Sequence, residues 1–342
     1  GLPMLSICLP TLRRLLALAV LTAAGCSLPP QQESLALAPQ QPALLEHHAV
    51  MDDGYELPLQ RWLPAAEPVA VVLALHGFND YRNAFAGVGP YLASRGIVTY
   101  AYDQRGFGAT VDRGYWPGTA RMVADARNMI ELLRAEHPDL PVYLLGESMG
   151  GAVSIATVAQ EAVRELVDGV VLVAPAVWAR QTMPWYQRWA LAVARTVAPG
   201  WRPTGHSLKR QASDNIEMLR ALGRDPLVIK KTRIDAVAGL ADLMDTALAS
   251  ASRLRTRTLV LYGERDEIVP KLPTCRMLQT LPEGGDWKLA LYPDGYHMLT
   301  RDLNGQRVIA DIATWILDPQ QPLPSGFQAD HEDWLHRLCQ QA

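Results

Sequence analysis

Gly146-Glu147-Ser148-Met149-Gly150 holds a serine between two glycines, after the apolar run PVYLLGE (141–147) and before a small-residue stretch, 149–163. A buried strand that turns sharply into a helix presents the central side chain above the sheet edge, and the flanking glycines relieve the crowding there. A serine hydroxyl is a poor nucleophile until a base takes its proton. His297, in Gly295-Tyr296-His297, follows the run WKLALYPD and supplies an imidazole after the last strand pattern. The imidazole in turn needs a carboxylate to hold its tautomer and stabilise its charge. Asp266, in GERD (263–266) after the run TLVLYG, is the candidate acid, with Glu264 and Glu267 as close competitors. Ser148, Asp266 and His297 occur in the chain order that a nucleophile elbow of this kind uses. His47, His48, His137, His206, His331 and His336 read as ordinary polar residues.

Acyl transfer also needs donors for the negative oxygen that develops on the substrate carbonyl. The backbone N–H of Met149, directly after the serine, is one. The loop HGF after the run VAVVLAL (69–75) supplies the other at the Phe78 N–H, with His76 and Gly77 shaping the loop.

These residues require a scaffold, and the chain spells one out. Strand patterns at 69–75, 97–102, 141–147, 168–175, 258–263 and 287–292 alternate with helical patterns at 84–95, 119–136, 149–163 and 304–317. Strands separated by helices imply a mostly parallel sheet covered on both faces. One stretch breaks the rhythm. Residues 176–256 carry no strand pattern and read as several helices, among them 235–250. That is too long for a loop in a compact domain, so an inserted helical cap is expected. It contains Trp178, Trp185, Trp189 and Trp201, and Trp185, Trp189 and Trp201 are the candidate substrate-binding residues.

With HGFND, DQRGFGAT, GESMG, VLVAP, GERDEIVP and GYHML in this order, the chain resembles the monoacylglycerol lipase and lysophospholipase group of α/β-hydrolases, also grouped with serine aminopeptidase-like hydrolases. The resemblance covers roughly residues 46–317. It implies an α/β-hydrolase core over 46–175 and 257–317, a helical cap that forms an apolar channel for one acyl chain, and no cofactor. It also favours Asp266 as the acid, through the D-x-x-V-P pattern after its strand. A lipid or ester is the substrate so implied. Dehalogenase and epoxide hydrolase relatives place Asp where Ser148 stands.

The N-terminal part suggests where the chemistry takes place. Arg13 and Arg14 precede the uncharged run 15–25, which is too short to span a bilayer and suits a signal peptide. LTAAGCS resembles a bacterial lipobox, in which Cys26 carries lipid and begins the mature chain; a conventional signal peptide with an incidental cysteine is the alternative. Residues 1–26 are thus expected to be the signal and 27–45 a Pro/Gln-rich tether to the membrane, with Ser27 implying a bacterial outer-membrane lipoprotein facing the periplasm. Residues 318–342 form a C-terminal extension. Cys275 and Cys339 either pair in that oxidising compartment or stay as separate thiols.

A net charge of −3 and the lack of long Lys/Arg runs leave no footprint for nucleic acid, and no Cys/His spacing resembles a zinc site. Three functions compete. The first is an ester hydrolase of monoacyl lipids. The second is a short-chain esterase or aminopeptidase-like hydrolase. The third is a non-catalytic envelope binding protein, which would have no need of Ser, Asp and His in three such roles.

Overall fold

Uninterrupted runs of β-branched and aliphatic residues set the centre of the molecule. The computed structural model describes residues 39–202 and 210–340. In it β4 (Ala70–Leu75), β5 (Ile97–Tyr102), β6 (Val142–Glu147), β7 (Gly169–Val173) and β8 (Thr258–Gly263) are buried along their whole length. With β9 (Trp287–Tyr292) they form six parallel strands in the order β5-β4-β6-β7-β8-β9.

Side chains alternate between the two faces of a strand, so each run feeds two cores. Val71, Leu73 and Leu75 enter one, beneath α2 (Thr119–Glu136), α3 (Met149–Val158), α7 (Ile234–Ser250) and α8 (Lys271–Thr280). Val72 and Ala74 enter the other, against α1 (Val88–Ser94) and α9 (Gly305–Leu317). The expected sheet with helices on both faces is present.

Three differences from the expected elements have physical causes. First, an antiparallel meander precedes the parallel strands: β1 (Ala43–Leu44), β2 (His48–Val50) and β3 (Glu56–Trp62), the last pairing with β5. Pro58 and three polar residues disguise β3, yet Leu57 and Leu59 alternate inward and are buried. The segment read as a tether over 27–45 therefore ends earlier. Gln40 N–H already donates to Asp52 O at 2.9 Å, and Ala43–Leu44 belong to the sheet. Second, the helix expected over 84–95 is a 3-10 turn, Arg82–Phe85, followed by α1. Third, the helix expected over 149–163 ends at Val158 and a short α4 (Glu161–Arg164) follows.

Between β7 and β8 the described residues hold no strand. They hold α5 (Trp185–Val197), α6 (Ile216–Arg224) and α7, which matches the helix expected over 235–250. The C-terminal extension packs rather than trails. Gln328–Ala329 (β10) pair antiparallel with β9, and Trp334 in α10 (His331–Trp334) is buried. Cys275 of α8 and Cys339 form a disulfide with their Cα atoms 5.4 Å apart. Cys26, the signal segment, most of the tether and His206 lie outside the described residues.

The disulfide closes a loop of 64 residues that contains β9 and His297. Tying such a loop removes conformational freedom from the unfolded chain. Replacing both cysteines (Cys275→Ser with Cys339→Ser) should lower the unfolding free energy by about 2–4 kcal/mol, read from the urea midpoint. Either single substitution should have a similar effect. An unchanged midpoint would show that the extension holds by packing alone.

Candidate active site

Ser148 sits between β6 and α3 at φ 52° and ψ −113°. A side-chain-bearing residue held there is strained by ~1–3 kcal/mol, so its surroundings must fix it. Its N–H donates to Val173 O at 2.9 Å, and its own carbonyl accepts from Gly151 and Ala176 N–H at 2.9 Å each. The turn closes only because two neighbours lack side chains. A Cβ at Gly146 would collide with the carbonyl of Gly150, and one at Gly150 with that of Leu75.

The structure brings Ser148, His297 and Asp266 together. His297 Nε2 lies 2.9 Å from Ser148 Oγ, and its Nδ1 lies 2.8 Å from Asp266 Oδ2. The Asp266 side chain is fully buried. Its other oxygen accepts from Ile268 and Val269 N–H at 2.7 and 2.8 Å, so the carboxylate is held at both ends. With Nδ1–H donated to Asp266, Nε2 is left as an acceptor for the serine proton. That arrangement activates a hydroxyl. The competitors are engaged elsewhere: Glu264 pairs with Arg337, and Glu267 accepts from Gln211 N–H.

The HGF loop lies against the elbow. A Cβ on Gly77 would stand 3.3 Å from Ser148 Cβ and 4.0 Å from its Oγ, so glycine lets this backbone approach. His76 is wholly buried and used at both nitrogens: Nδ1 lies 2.8 Å from Gly77 O, and Nε2 accepts Gln104 N–H at 2.9 Å. Burial pushes its ring below the usual histidine range. It is a neutral brace for the loop, as expected, and not a second base. Phe78 packs edge-on to Phe107 and Trp116. Among the described residues no hydrogen bond engages the Phe78 or Met149 N–H, which leaves both amides available beside Ser148.

Ser148 and His297 open into a cavity of about 770 Å³ with mainly apolar walls. The cap builds much of it. Val237, Leu240 and Met244 lie at i, i+3 and i+7 on α7 and turn one face to the space, joined by Trp178 and Gln187. Trp185, Trp189 and Trp201 do not line it, contrary to expectation. They are 76%, 66% and 57% exposed. On α5 Leu191 and Ala194 are half-buried and Gln187 reaches the cavity, and residues i and i+4 share a face, so Trp185 and Trp189 point outward together. Composition marked the segment as aromatic but could not supply this helical phase.

Polar wall residues that escaped the sequence reading include Asp80, Glu147, Arg210 and Arg301. Arg301 Nη2 donates to Asp80 Oδ2 at 2.8 Å across 221 residues of sequence, a separation at which no local pattern signals a contact. Burial raises the Glu147 carboxyl above its usual range.

Asp302 clamps the His297 loop to the cap. It accepts Tyr296 N–H at 2.8 Å and the Ser213 hydroxyl at 2.5 Å. Burial lifts its carboxyl to about 6, above the ~3.9 of an unfolded aspartate. The folded state thus holds a proton there that the unfolded chain releases. The associated stability is complete below pH ~4 and is lost as pH rises through about 6. Asp302→Asn keeps the shape without the charge. Its stability relative to the native chain should improve by on the order of 2 kcal/mol between pH 4 and 7, measured by urea unfolding at both pH values. A pH-independent difference would contradict this account.

The geometry has counterparts among known proteins. Residues 66–304 match the family described as "Serine aminopeptidase, S33". The monoacylglycerol lipase of Mycolicibacterium smegmatis is 27% identical over 274 residues, covering 80% of this chain and 96% of that protein. Human monoglyceride lipase is 24% identical, covering 79% of this chain and 89% of its own. Among solved structures, a soluble variant of Saccharomyces cerevisiae monoglyceride lipase in complex with a substrate analogue superposes with TM-score 0.67 at 18% identity, covering 86% of this chain and all of that one. The monoacylglycerol lipase of Paleococcus ferrophilus gives 0.64 at 22% identity, covering 76% and 98%. These likenesses show the α/β-hydrolase fold. The strained elbow, the buried Asp–His–Ser chain and a family match over most of its length place this chain in the serine aminopeptidase S33 family of α/β-hydrolases.

Proposed function

We propose that this chain is a serine carboxylic-ester hydrolase acting on monoacyl lipids, either monoacylglycerols or lysophospholipids. One observation carries the reading: a serine hydrogen-bonded through histidine to a buried carboxylate stands in the wall of a large, mainly apolar cavity. The monoacylglycerol and monoglyceride lipases among its relatives support it. In the reaction Ser148 Oγ attacks the ester carbonyl carbon while His297 Nε2 takes its proton and Asp266 stabilises the imidazolium. The Phe78 and Met149 N–H groups hold the oxyanion. On collapse, the alcohol leaves with the proton from His297 and the acyl group stays on Ser148. Water, deprotonated by His297, then releases the fatty acid.

An aminopeptidase reading is less favoured. It needs a free acidic anchor for the substrate amine, and Asp80 is instead paired with Arg301. Ser148→Ala should lower turnover by orders of magnitude without unfolding the protein. In the native enzyme kcat/KM should rise with acyl length, since each buried CH₂ contributes ~0.8 kcal/mol. A profile that peaks at acetyl esters and falls steadily would replace this reading with the short-chain esterase.

We place the enzyme at a bacterial envelope, held to the membrane through lipid on Cys26. Three observations support this. LTAAGCS has the lipobox form, a disulfide suits an oxidising compartment, and the exposed Trp185, Tyr186 and Trp189 of α5 are the residue types that sit at lipid–water boundaries. No helix among the described residues is long and apolar enough to cross a membrane. Cys26→Ala should move the protein out of the membrane fraction or leave an uncleaved precursor. A correctly processed native chain whose intact mass shows an unmodified Cys26 would count against the anchor.

A further inference from the structure

Three separate loops must agree to within fractions of an ångström for the chemistry above. They are the loop of Phe78, the elbow of Ser148 and the loop of His297. One side chain touches two of them from the third. Arg301, four residues after His297, donates from Nη2 to Asp80 Oδ2 at 2.8 Å, and the same nitrogen lies 4.0 Å from Glu147 Oε2. Its neighbour Thr300 donates its hydroxyl to Glu147 Oε1 at 2.6 Å. Glu147 directly precedes the nucleophile. The Asp80 and Glu147 side chains are 8% and 9% exposed, and that of Arg301 is 16%, so the bridge is little screened by water.

Asp80 matters because of what it closes. Its N–H donates to Gly77 O at 3.2 Å, which makes residues 77–80 a tight turn with Phe78 inside it. Asn79 follows at φ 66°, a left-handed conformation that asparagine adopts more readily than other side-chain-bearing residues. The second Asp80 oxygen accepts Tyr81 N–H at 2.9 Å. The carboxylate is thus clamped between the turn that holds Phe78 and Arg301. Arg301 also keeps its Nε buried without a partner among the described residues.

We propose that Arg301 is a positioning residue for the oxyanion site: by bridging Asp80 and Glu147 it fixes the Phe78 amide relative to Ser148 and Met149. The inference rests on the acyl-transfer reading of Ser148 and deepens it. Arg301 touches no reacting atom and acts through the turn at Asp80.

The test uses the full chain with Arg301→Met, Arg301→Lys and Asp80→Asn, assayed on p-nitrophenyl butyrate, an ester with no lipid head group. Loss of an oxyanion donor costs about 10²–10³ in kcat, so a displaced one should cost about 10- to 100-fold. The loss should fall on kcat with KM within about twofold, because the defect arises in the transition state. The inhibition constant of a trifluoromethyl ketone, whose adduct on serine carries an oxyanion, should rise by the same factor. Arg301→Lys should recover part of the loss, since an ammonium can still reach one carboxylate. If Arg301→Met does not accumulate folded, Asp80→Asn reads the same contact from the other side. Unchanged kcat in the folded variants overturns the proposal. So does a rise in KM confined to lysophospholipids, which would make Arg301 a head-group ligand. A native chain with no Ser148-dependent hydrolysis of any ester would instead defeat the acyl-transfer reading itself.

Discussion

The backbone of Ser148 is the constraint from which the rest follows. A serine at φ 52° is unfavourable in isolation, so the fold must hold it there. Val173 and Ala176 grip its peptide groups from one side, and the absent side chains of Gly146 and Gly150 admit the turn from the other. The result projects a hydroxyl above the edge of a parallel sheet and points the following helix at it. His297 and Asp266 come from the ends of neighbouring strands, β9 and β8. Parallel order makes those strand ends converge, so three residues distant in sequence become hydrogen-bonded neighbours.

The sheet supplies reactivity but little room. Its loops near Ser148 are short and braced, as the doubly bonded His76 illustrates. Apolar wall comes from both parts: Phe78, Ile268, Val269 and Met298 from the loops, and Trp178 with the α7 face carrying Val237, Leu240 and Met244 from the cap. The division has an energetic logic. Binding energy gathered along an acyl chain is remote from the reacting carbonyl, and an enzyme can use such energy to orient the ester at the nucleophile. Asp302 joins the two parts, with one oxygen on the His297 loop and the other on Ser213 of the cap.

Much of this was legible in the sequence because the decisive features are local. A continuous apolar run, a glycine pair around serine, and an acid and a histidine each following a strand are patterns of a few residues. They located the six parallel strands, the elbow and the two partners. Features that depend on phase or on distant contacts were not legible. The cap tryptophans were assigned to the substrate site on composition, whereas the helical phase of α5 turns Trp185 and Trp189 to solvent. β3 was missed because Pro58 and its polar partners mask a short alternation. The Asp80–Arg301 bridge joins residues with no sequence relation. The cysteine pair was an open choice until α8 and the chain end proved adjacent.

The C-terminal extension does more than close a disulfide loop. β9 is the last parallel strand, and Leu289, Ala290, Leu291 and Tyr292 on it are all buried. The two residues of β10 pair with Leu289 and Ala290, and Leu291 N–H donates to Phe327 O at 3.0 Å. Without that cover, a flat hydrophobic strand would offer its unpaired backbone to any similar strand, the usual route to edge-to-edge aggregation. The extension therefore covers the outer backbone edge of β9, and the Cys275–Cys339 bond ties that cover to α8.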